Sequence, residues 1–456
     1  MIPVLTPDEM AAADAAAPEP VEVLIGRAGA AVARHALDLL GGAYGRRVVV
    51  VAGKGNNGAD GRAAAERLRR RGVRTEVIDA ASAPERLPDA DLVIDAAYGT
   101  GFRGEYQPPD PGGAPVLAVD IPSGVAGVTG QVHGRALAAV RTVSFAALKP
   151  GLLFHPGRRL AGDVVVADIG LDVAGRGSAE LIEARDVAAW LPPRPPESHK
   201  WRAAVVLAAG SPGMTGAAHL AARAAQRAGA GMVRVASPGV TQDPAMPTEA
   251  VGVAVPGAGW DEAVLGQLDR AGALVVGPGL GRGAPTVTAV HHVVVSAGVP
   301  VLVDGDGLWA LGDQAADLVG RRRQPTVLTP HDGEFARLAG RPPGEDRLAA
   351  VRDLAAATGA IVLLKGPTTV VAHPDGRALL STSGDARLAT AGTGDVLSGI
   401  VGALLAQGVE PFAAAAVGAW LHGAAAERGP ARGLVASDVV DGLPAVLGDL
   451  DAPGDP

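Results

Sequence analysis

Short apolar segments recur along the whole chain, and each is followed by a polar or glycine-rich turn and then by an Ala-rich segment with helical spacing. Residues 47–52 read Arg-Val-Val-Val-Val-Ala, and residues 62–71 form an Ala/Arg/Leu helix pattern that stops at Gly72. A strand that is apolar at nearly every position must be covered on both faces, as in parallel sheets flanked by helices. We therefore predict an α/β fold with doubly wound sheets.

The predicted strands form two series along the chain. The first series comprises residues 47–52, 73–79, 91–95 and 115–120, and the second comprises residues 203–208, 232–236, 274–276, 301–303, 326–328 and 361–364. Ligands of such sheets bind at the carboxyl ends of the strands. Functional residues are therefore expected in the turns that follow these segments.

A proline-rich stretch separates the two series. Residues 191–198 read Leu-Pro-Pro-Arg-Pro-Pro-Glu-Ser, and this density of proline excludes a helix and favours an extended connector. A chain of 456 residues also exceeds the size at which a single core keeps growing. We predict two domains, residues 1–192 and 199–456, joined by a linker at 193–198.

The composition restricts the core and the partners. Hydrophobic residues make up 48% of the chain but aromatic residues only 3%, so the cores must be built from Val, Leu, Ile and Ala. The formal net charge of −8 and the lack of a basic stripe argue against nucleic acid as a partner. The chain contains no cysteine, which excludes disulfides and thiolate metal sites.

The first residues show neither the basic nor the apolar region of a signal peptide, and no apolar run is long enough to span a bilayer. We therefore expect a cytoplasmic protein that acts on small molecules, has no membrane attachment and forms a homo-oligomer.

The strongest functional pattern is the segment 389–400, Ala-Thr-Ala-Gly-Thr-Gly-Asp-Val-Leu-Ser-Gly-Ile. The backbone N–H groups of Gly392, Thr393 and Gly394 can converge on an anion, and the apolar helix that follows adds the positive end of its dipole. Asp395 then lies beside a bound phosphate as a candidate base. The same pattern also occurs at capped helix starts that bind no ligand.

Three polar segments follow predicted strands of the first series, at residues 53–61, 95–104 and 120–124. Within them, Asn57, Asp95 and Ser123 offer hard oxygen atoms, which suit an alkali or alkaline-earth cation better than zinc. Each segment alone is compatible with a helix cap or an Asx-turn. Three of them at adjacent strand ends indicate a ligand site.

Together these motifs resemble those of the bifunctional NAD(P)H-hydrate repair enzymes. The first half resembles their epimerase through residues 56–61, Asp95, residues 99–101 and residues 120–124. The second half resembles their dehydratase, which has a ribokinase-like fold. The matching segments cover nearly the whole chain in the family's order: 198–200, 213–217, 277–281, 329–334, 365–369 and 392–395.

The chain departs from the family pattern at three points. Lys54 stands where the family usually has Pro, Ala59 where it has Gly, and the usual Asp-Ala-Asp is here Asp304-Gly-Asp306. The extra methyl group of Ala59 is expected to crowd a loop that approaches its ligand closely, and so to lower epimerase efficiency.

The resemblance implies an N-terminal Rossmann-like doubly wound domain and a C-terminal ribokinase-like α/β domain. It implies a substrate, NADH or NADPH carrying water across one double bond of the nicotinamide ring, in R and S epimers. The first half would interconvert the epimers. The second would dehydrate the S epimer with an adenine nucleotide and Mg²⁺, and bacterial relatives generally prefer ADP to ATP.

The resemblance also implies residue roles in the epimerase half. Asp120 would handle the proton, and Asn57, Asp95 and Ser123 would hold K⁺. The hydrate would contact Asp120 and residues of the two glycine-rich segments: Asn56, Asn57, Gly58, Ala59, Asp60, Gly99, Thr100, Gly101, Phe102, Arg103, Gly104 and Glu105.

In the dehydratase half, Asp395 would take the hydroxyl proton while the nucleotide transfers a phosphoryl group to that hydroxyl, which turns a poor leaving group into phosphate. The hydrate would contact Ala217, Gly281, His331 and Asp395. The nucleotide would contact Lys365, Gly366, Pro367, Thr368, Thr369, Gly392, Thr393 and Gly394.

Two other functions fit parts of the pattern. An ATP-dependent kinase for a vitamin-precursor alcohol would use the same loop and aspartate, and differs from the dehydratase only in the fate of the phosphorylated product. The first domain could also be a module that only binds a nucleotide or a partner. The joint presence of Asn56, Asn57, Asp95 and Asp120 argues against a binding-only module.

Overall fold

The computed structural model describes residues 1–451 and divides into two compact units. The first unit is Ile2–Glu180, and the second unit begins at Leu181. Within the described residues, no helix has the length and apolar character that a membrane span requires.

The first unit contains six parallel strands, flanked by helices. In chain order its elements are β1 (Ile2–Val4), α1 (Pro7–Ala15), α2 (Val21–Leu40), β2 (Arg47–Ala52), α3 (Asn56–Arg70), β3 (Arg74–Asp79), β4 (Leu92–Ala96), β5 (Val116–Val119), β6 (Arg141–Phe145), α4 (Gly157–Ala161) and β7 (Asp163–Ala167). The sheet order is β3-β2-β4-β5-β6-β7. The strand order reverses between β2 and β4, because β3 lies on one side of β2 and β4 on the other. Doubly wound sheets bind ligands at such a point.

The second unit contains nine strands and a larger set of helices. In chain order, after β8 (Ala179–Leu181), which spans the boundary, its elements are α5 (Ala184–Trp190), β9 (Ala204–Ala208), α6 (Thr215–Arg227), β10 (Met232–Ala236), β11 (Val251–Val253), α7 (Asp261–Leu265), β12 (Ala273–Val276), α8 (Ala284–Ser296), β13 (Val301–Val303), α9 (Asp306–Leu311), α10 (Ala315–Gly320), β14 (Thr326–Leu328), α11 (Asp332–Ala339), α12 (Arg347–Thr358), β15 (Ile361–Leu364), β16 (Thr369–Ala372), β17 (Ala378–Ser381), α13 (Thr393–Ala406), α14 (Pro411–Glu427) and α15 (Ala436–Asp451).

These nine strands run in the order β17-β16-β15-β14-β13-β12-β9-β10-β11. They are parallel from β15 to β11, and β16 and β17 add an antiparallel edge. The core on one side is formed mainly by Ala, Val and Leu from α6, α13 and α14. Gly399 lets α13 approach α6 closely, because a Cβ there would lie 2.1 Å from the carbonyl oxygen of Ala221.

The predicted fold class, α/β with two domains and parallel sheets, is confirmed. Along the chain, the boundary between the two compact units falls at residues 180 and 181, before the proline-rich stretch. Helix α5 belongs to the second unit because it packs against α14 and α15. The assignment of one activity to residues 1–192 and another to 199–456 stays a prediction.

The prediction that residues 53–61 form a loop is wrong, because α3 begins at Asn56. Its early glycines let the helix pack closely against the turn that precedes it and against β4. A Cβ at Gly58 would lie 1.9 Å from the carbonyl oxygen of Gly53, and one at Gly61 would lie 2.5 Å from the Cβ of Ala96. Ala59 therefore lies in a helix, and the effect of its methyl group on epimerase efficiency stays a prediction.

Candidate active sites

The first unit contains a cavity of about 770 Å³ at the carboxyl edge of its sheet, near the crossover between β2 and β4. One part of its lining is apolar and comes from α1, α2 and later loops: Met10, Val21, Leu24, Ile25, Ala28, Phe145 and Ile169. The other part is polar and includes backbone from glycine-rich segments: Asp14, Glu19, Gly55, Asn56, Asn57, Asp60, Gly99, Thr100, Gly101, Arg103, Asp120 and Lys149. Such a cavity suits a ligand with both an aromatic or apolar part and charged groups.

An ion pair between Asp120 and Lys149 lies in this cavity. The Nζ atom of Lys149 is 2.5 Å from Oδ1 of Asp120 and also donates hydrogen bonds to Ser144 Oγ, Phe145 O and Ala147 O at 3.0–3.2 Å. Lys149 is only 2% exposed, and Asp120 has a φ of +67°, a left-handed conformation that is rare for a non-glycine residue. Strain of this kind is typical of functional sites.

A second carboxyl group, that of Asp60, lines the same cavity from α3 and is 7% exposed. Burial and, to a smaller extent, the negative charges of Asp120 and Asp14 raise the pKa of Asp60 to about 8, whereas Lys149 acts in the opposite direction. Burial likewise raises the pKa of Asp14. Asp60 therefore carries a proton at neutral pH.

The candidate cation ligands lie at the ends of β2, β4 and β5. Asp95 is 1% exposed and accepts hydrogen bonds from Ser123 Oγ at 2.6 Å and Ser123 N at 2.9 Å. Burial raises the pKa of Asp95, and these hydrogen bonds oppose the shift. Both side-chain polar atoms of Asn57 are buried without a hydrogen-bond partner among the described residues.

These observations fit a bound cation. Within residues 1–451, no Lys, Arg or His side chain forms an ion pair with Asp95. A buried carboxylate without a counter-charge and an amide oxygen without a donor are both unfavourable unless a further group satisfies them. An alkali cation with oxygen ligands would satisfy both.

Most of the predicted hydrate contacts in the first unit do line the cavity, namely Asn56, Asn57, Asp60, Asp120 and residues 99–103. Gly58, Ala59, Gly104 and Glu105 are not among the lining residues. An aromatic cluster adjoins the cavity, with the ring centroids of Tyr98 and Phe102 4.2 Å apart. The sequence prediction missed Lys149, since no local motif marks it.

In the second unit, Asp395 lies in the first turn of α13, whose N-cap is Gly392 with a φ of +91°. Only glycine adopts that conformation readily. Burial raises the pKa of Asp395 to about 7, Asp304 adds to the shift, and Lys365 opposes it. A carboxyl group with this pKa can act as a base near neutral pH.

A lysine–carboxylate pair adjoins this loop as well. The Nζ atom of Lys365 is 2.8 Å from Oδ1 of Asp304 and 3.6 Å from Oε2 of Glu334. Asp304 also accepts hydrogen bonds from the hydroxyl groups of Thr329 and Ser398, both at 2.8 Å. Burial acts to lower the pKa of Lys365, but the neighbouring carboxylates outweigh it and the pKa is raised.

The glycine loop and Lys365 lie side by side, because a Cβ at Gly394 would be 3.5 Å from Lys365 Nζ. The structure therefore brings the predicted nucleotide residue Lys365 to the predicted phosphate loop and to Asp395. Thr368 is buried, and Thr369 is the first residue of β16. Asp304 and Glu334 were not predicted as partners of Lys365, although Glu334 lies in a motif that carried the resemblance and Asp304 lies in a segment that was compared with the family pattern.

The predicted hydrate contacts of the second unit lie on separate elements. Ala217 adjoins the segment of Gly281, because a Cβ at Gly279 would be 2.9 Å from the Cβ of Ala217. The backbone N–H of Gly281 donates to Asp306 Oδ2 at 2.9 Å. His331 caps α11, where its Nδ1 accepts hydrogen bonds from the backbone N–H groups of residues 333 and 334.

Sequence reasoning also missed His422, on α14. Its ring is buried, forms a hydrogen bond with the backbone of Thr393, and has an Nε2 atom with no hydrogen-bond partner among the described residues. Burial lowers its pKa to about 4, so the ring is neutral. His422 thus contacts the glycine loop at Thr393 with an uncharged ring.

Each half of the chain matches a known protein family. Residues 205–441 match the family described as NAD(P)H-hydrate dehydratase. Residues 21–88 and 75–151 match the family described as YjeF-related protein N-terminus.

Similar proteins of known name include two bifunctional NAD(P)H-hydrate repair enzymes. That of Moorella thermoacetica is 38% identical, over 89% of this chain and 88% of its own length. That of Mycobacterium leprae is 42% identical, over 85% of this chain and 84% of its own length. A similar solved structure is the ADP/ATP-dependent NAD(P)H-hydrate dehydratase of Bacillus subtilis, co-crystallised with ATP/Mg²⁺ (34% identity, TM-score 0.52), which matches 59% of this chain and 98% of that protein. The chain belongs to the family of bifunctional NAD(P)H-hydrate repair enzymes.

Proposed function

We propose that this protein repairs hydrated NADH and NADPH in two steps, epimerisation in the first unit and nucleotide-dependent dehydration of the S epimer in the second. The observation that carries the proposal is that each unit holds its own lysine–carboxylate pair beside a carboxyl group of raised pKa. Each unit therefore has the groups for proton transfer that one of the two reactions needs. The family match favours this function over the kinase alternative.

In the first unit, the proposed hydrate site is the 770 Å³ cavity, with Asp120 as the proton-handling group. The predicted contacts that line it would hold the nicotinamide, and the remaining ones, at residues 58, 59, 104 and 105, stay predictions. Asn57, Asp95 and Ser123 would hold K⁺, which supplies positive charge to the buried Asp95 carboxylate.

In the second unit, Asp395 would accept the proton of the substrate hydroxyl as its oxygen attacks the terminal phosphorus of the nucleotide. The backbone N–H groups of Gly392, Thr393 and Gly394, with Lys365, would stabilise the transferring phosphoryl group. The C–O bond of the phosphate ester then breaks and its electron pair leaves with the phosphate, the neighbouring ring carbon loses a proton to the departing phosphate, and the double bond of NAD(P)H returns. The products are NAD(P)H, phosphate and the shortened nucleotide.

The remaining contacts of this site are proposed from the resemblance. Ala217, Gly281 and His331 would contact the hydrate, and residues 365–369 the nucleotide, which would carry Mg²⁺. We propose ADP as the phosphoryl donor, as the resemblance implies for bacterial relatives, with ATP as the alternative. A homo-oligomeric state and a cytoplasmic location stay predictions.

The test is an assay of the full chain with chemically hydrated NADH, with and without ADP or ATP, following the return of reduced-nicotinamide absorbance. The S epimer should be consumed only with nucleotide, and the R epimer should follow at a rate set by epimerisation. Without nucleotide, pure R hydrate should become a mixture of epimers with no return of absorbance. No return of absorbance with either nucleotide would contradict the proposed dehydratase function.

A further inference from the structure

We propose that Asp60 is a second catalytic residue of the epimerase, which donates a proton to the departing hydroxyl group on one face of the nicotinamide ring while Asp120 accepts a proton from the water that enters on the other face. This inference rests on the epimerase function proposed for the first unit. It assigns the two carboxyl groups of the cavity opposite roles.

The first support is geometric. Asp60 and Asp120 reach the same cavity from different elements, Asp60 from α3 and Asp120 from the turn after β5. Asp120 is held by Lys149 at 2.5 Å. Asp60 is 7% exposed and forms no hydrogen bond or ion pair with the residues that the structure describes, so its carboxyl group is left for a ligand in the cavity that it lines.

The second support is the charge of the cavity. Three aspartates line it, namely Asp14 from α1, Asp60 and Asp120, but Lys149 is the one lysine among its lining residues, which also include Glu19 and Arg103. Carboxylates that share a site cannot all ionise readily. Burial and the charges of Asp120 and Asp14 raise the pKa of Asp60 to about 8, so Asp60 keeps its proton while Asp120 pairs with Lys149.

The chemistry of the substrate calls for this division. Water adds to an enamine double bond at the carbon next to nitrogen, so the hydroxyl-bearing carbon of the hydrate is bonded to the ring nitrogen. Proton transfer from Asp60 to the hydroxyl oxygen lets the C–O bond break as the nitrogen lone pair forms a C=N bond, and one water departs. A second water then bonds to the opposite face of that carbon, the C=N electrons return to nitrogen, and Asp120 takes the extra proton.

The two steps conserve atoms and electrons. One water leaves, one water enters, nothing is oxidised or reduced, and one proton passes from Asp60 to Asp120. Proton exchange with solvent in the open cavity resets the two groups, and the reverse epimerisation uses them in exchanged roles.

The closest competing role for Asp60 is that of a hydrate contact without proton transfer, and Asp60→Asn separates the two. Because Asp60 is protonated at neutral pH, the Asn side chain keeps its charge, its shape and an N–H donor, but has no proton to transfer. A contact residue would tolerate the change, whereas a proton donor would not. Glu66→Gln is the matched control, because Glu66 is an exposed residue on the same helix.

The experiment uses the full chain and pure R NADH hydrate in ¹⁸O-labelled water, with epimers separated by chromatography and binding measured by equilibrium dialysis. Wild type should incorporate one solvent oxygen per inversion. Asp60→Asn should bind the hydrate within about twofold of wild type, yet epimerise about 10²–10⁴-fold more slowly, the usual contribution of a positioned acid. Glu66→Gln should match wild type, and the nucleotide-dependent dehydration of S hydrate should be unchanged in both variants.

An Asp60→Asn variant that epimerises within tenfold of wild type would overturn the proposal, as would wild-type inversion without solvent oxygen. A wild type that does not interconvert the epimers would instead overturn the epimerase function itself. Should Asp60→Asn fail to fold, Asp14→Asn provides the test. The epimerisation rate of wild type should fall above about pH 8. Removing the charge of Asp14 should move this fall in the pH–rate profile to lower pH. A fall that stays at the same pH in Asp14→Asn overturns the assignment of Asp60.

Discussion

The cavity of the first unit and the site around α13 in the second unit use the same elements in different surroundings. Each joins a carboxylate to a lysine, Asp120 to Lys149 at 2.5 Å and Asp304 to Lys365 at 2.8 Å. Each also holds a separate carboxyl group whose pKa burial raises, to about 8 at Asp60 and about 7 at Asp395. The two sites thus share the means to move a proton near neutral pH.

The lysines differ in what remains available to a ligand. Lys149 is 2% exposed, and besides Asp120 it donates hydrogen bonds to three further oxygen atoms. The side chain of Lys365 is 22% exposed and lies next to Gly394 at the N-terminus of α13. Lys149 is therefore a fixed counter-charge for Asp120, whereas Lys365 can also approach a phosphate. This difference fits a phosphate-binding role for Lys365 but not for Lys149.

The largest expected effect is that of Asp395→Asn in the second unit. The change keeps the shape of the loop but removes the base, so nucleotide-dependent dehydration should fall by about 10²–10⁴-fold. Nucleotide binding should survive or tighten slightly, because a negative charge near the phosphates is lost. Epimerisation should be unchanged, which a chromatographic assay of the two epimers measures.

The matched control for that variant is Asp317→Asn, since Asp317 lies on α10 in an exposed pair with Arg321. It should keep both activities. Near-wild-type dehydration by a folded Asp395→Asn variant would refute Asp395 as the base, and with it the parallel between the two sites.

The next prediction compares how much the replacement of each lysine lowers the free energy of unfolding. Lys149→Met leaves the buried Oδ1 atom of Asp120 without its counter-charge and should lower the free energy of unfolding of the first unit by about 3 kcal/mol. Lys365→Met should cost less, because Asp304 keeps the hydrogen bonds from the hydroxyl groups of Thr329 and Ser398. All five tryptophans lie beyond residue 180, so tryptophan fluorescence follows the second unit during denaturation, while circular dichroism follows both.

Only the Lys149→Met variant should shift the circular dichroism transition without shifting the fluorescence transition. Adding Asp120→Asn to Lys149→Met should recover part of the loss, because the unpaired charge is removed. An Asp120→Asn addition that recovers nothing would show that Lys149 acts through packing alone.

The strands that could be predicted best from the sequence are those with mainly apolar residues and a clear end. The segments 47–52, 232–236, 301–303, 326–328 and 361–364 have the predicted bounds, because each run ends at a polar residue, glycine or proline. Strand β16 was missed because its first residue, Thr369, was assigned to the nucleotide motif, and its hairpin partner β17 was missed with it. The turn residues Pro374-Asp375-Gly376 between two apolar runs did carry a hairpin signal.

The aspartates of the two sites could be predicted because they follow strands in recognisable motifs, but their lysine partners could not. Lys149 follows β6, a strand that the sequence analysis did not identify, and it meets Asp120 only because β6 lies beside β5. The glycines of α3 led to the wrong prediction of a loop at residues 53–61, because glycine is favoured both in flexible loops and where backbones pack closely. Side-chain pairs that depend on sheet order are visible only once the order is known.

The two activities should respond to pH in opposite directions. Asp395 must be ionised to accept a proton, so dehydration should fall about tenfold for each pH unit below about 7. Asp60 must be protonated to donate one, so epimerisation should fall above about pH 8. Separate initial-rate profiles with S hydrate plus nucleotide, and with R hydrate alone, measure this; parallel profiles would show that the two carboxyl groups do not have the proposed roles.

The smallest expected effect is that of potassium on the first unit. Asp95→Asn removes the buried negative charge that a cation would compensate, while Ser123 keeps a hydrogen-bond partner at residue 95. Wild-type epimerisation should rise a few-fold when K⁺ replaces a large organic cation, and K⁺ should raise the thermal midpoint by binding the folded state. Asp95→Asn should lose both responses, whereas Asp89→Asn, at an exposed position of the same unit, should keep them. A potassium response that survives in Asp95→Asn would remove Asp95 from the cation site, and would leave the unpartnered Asn57 amide to be explained by the hydrate itself.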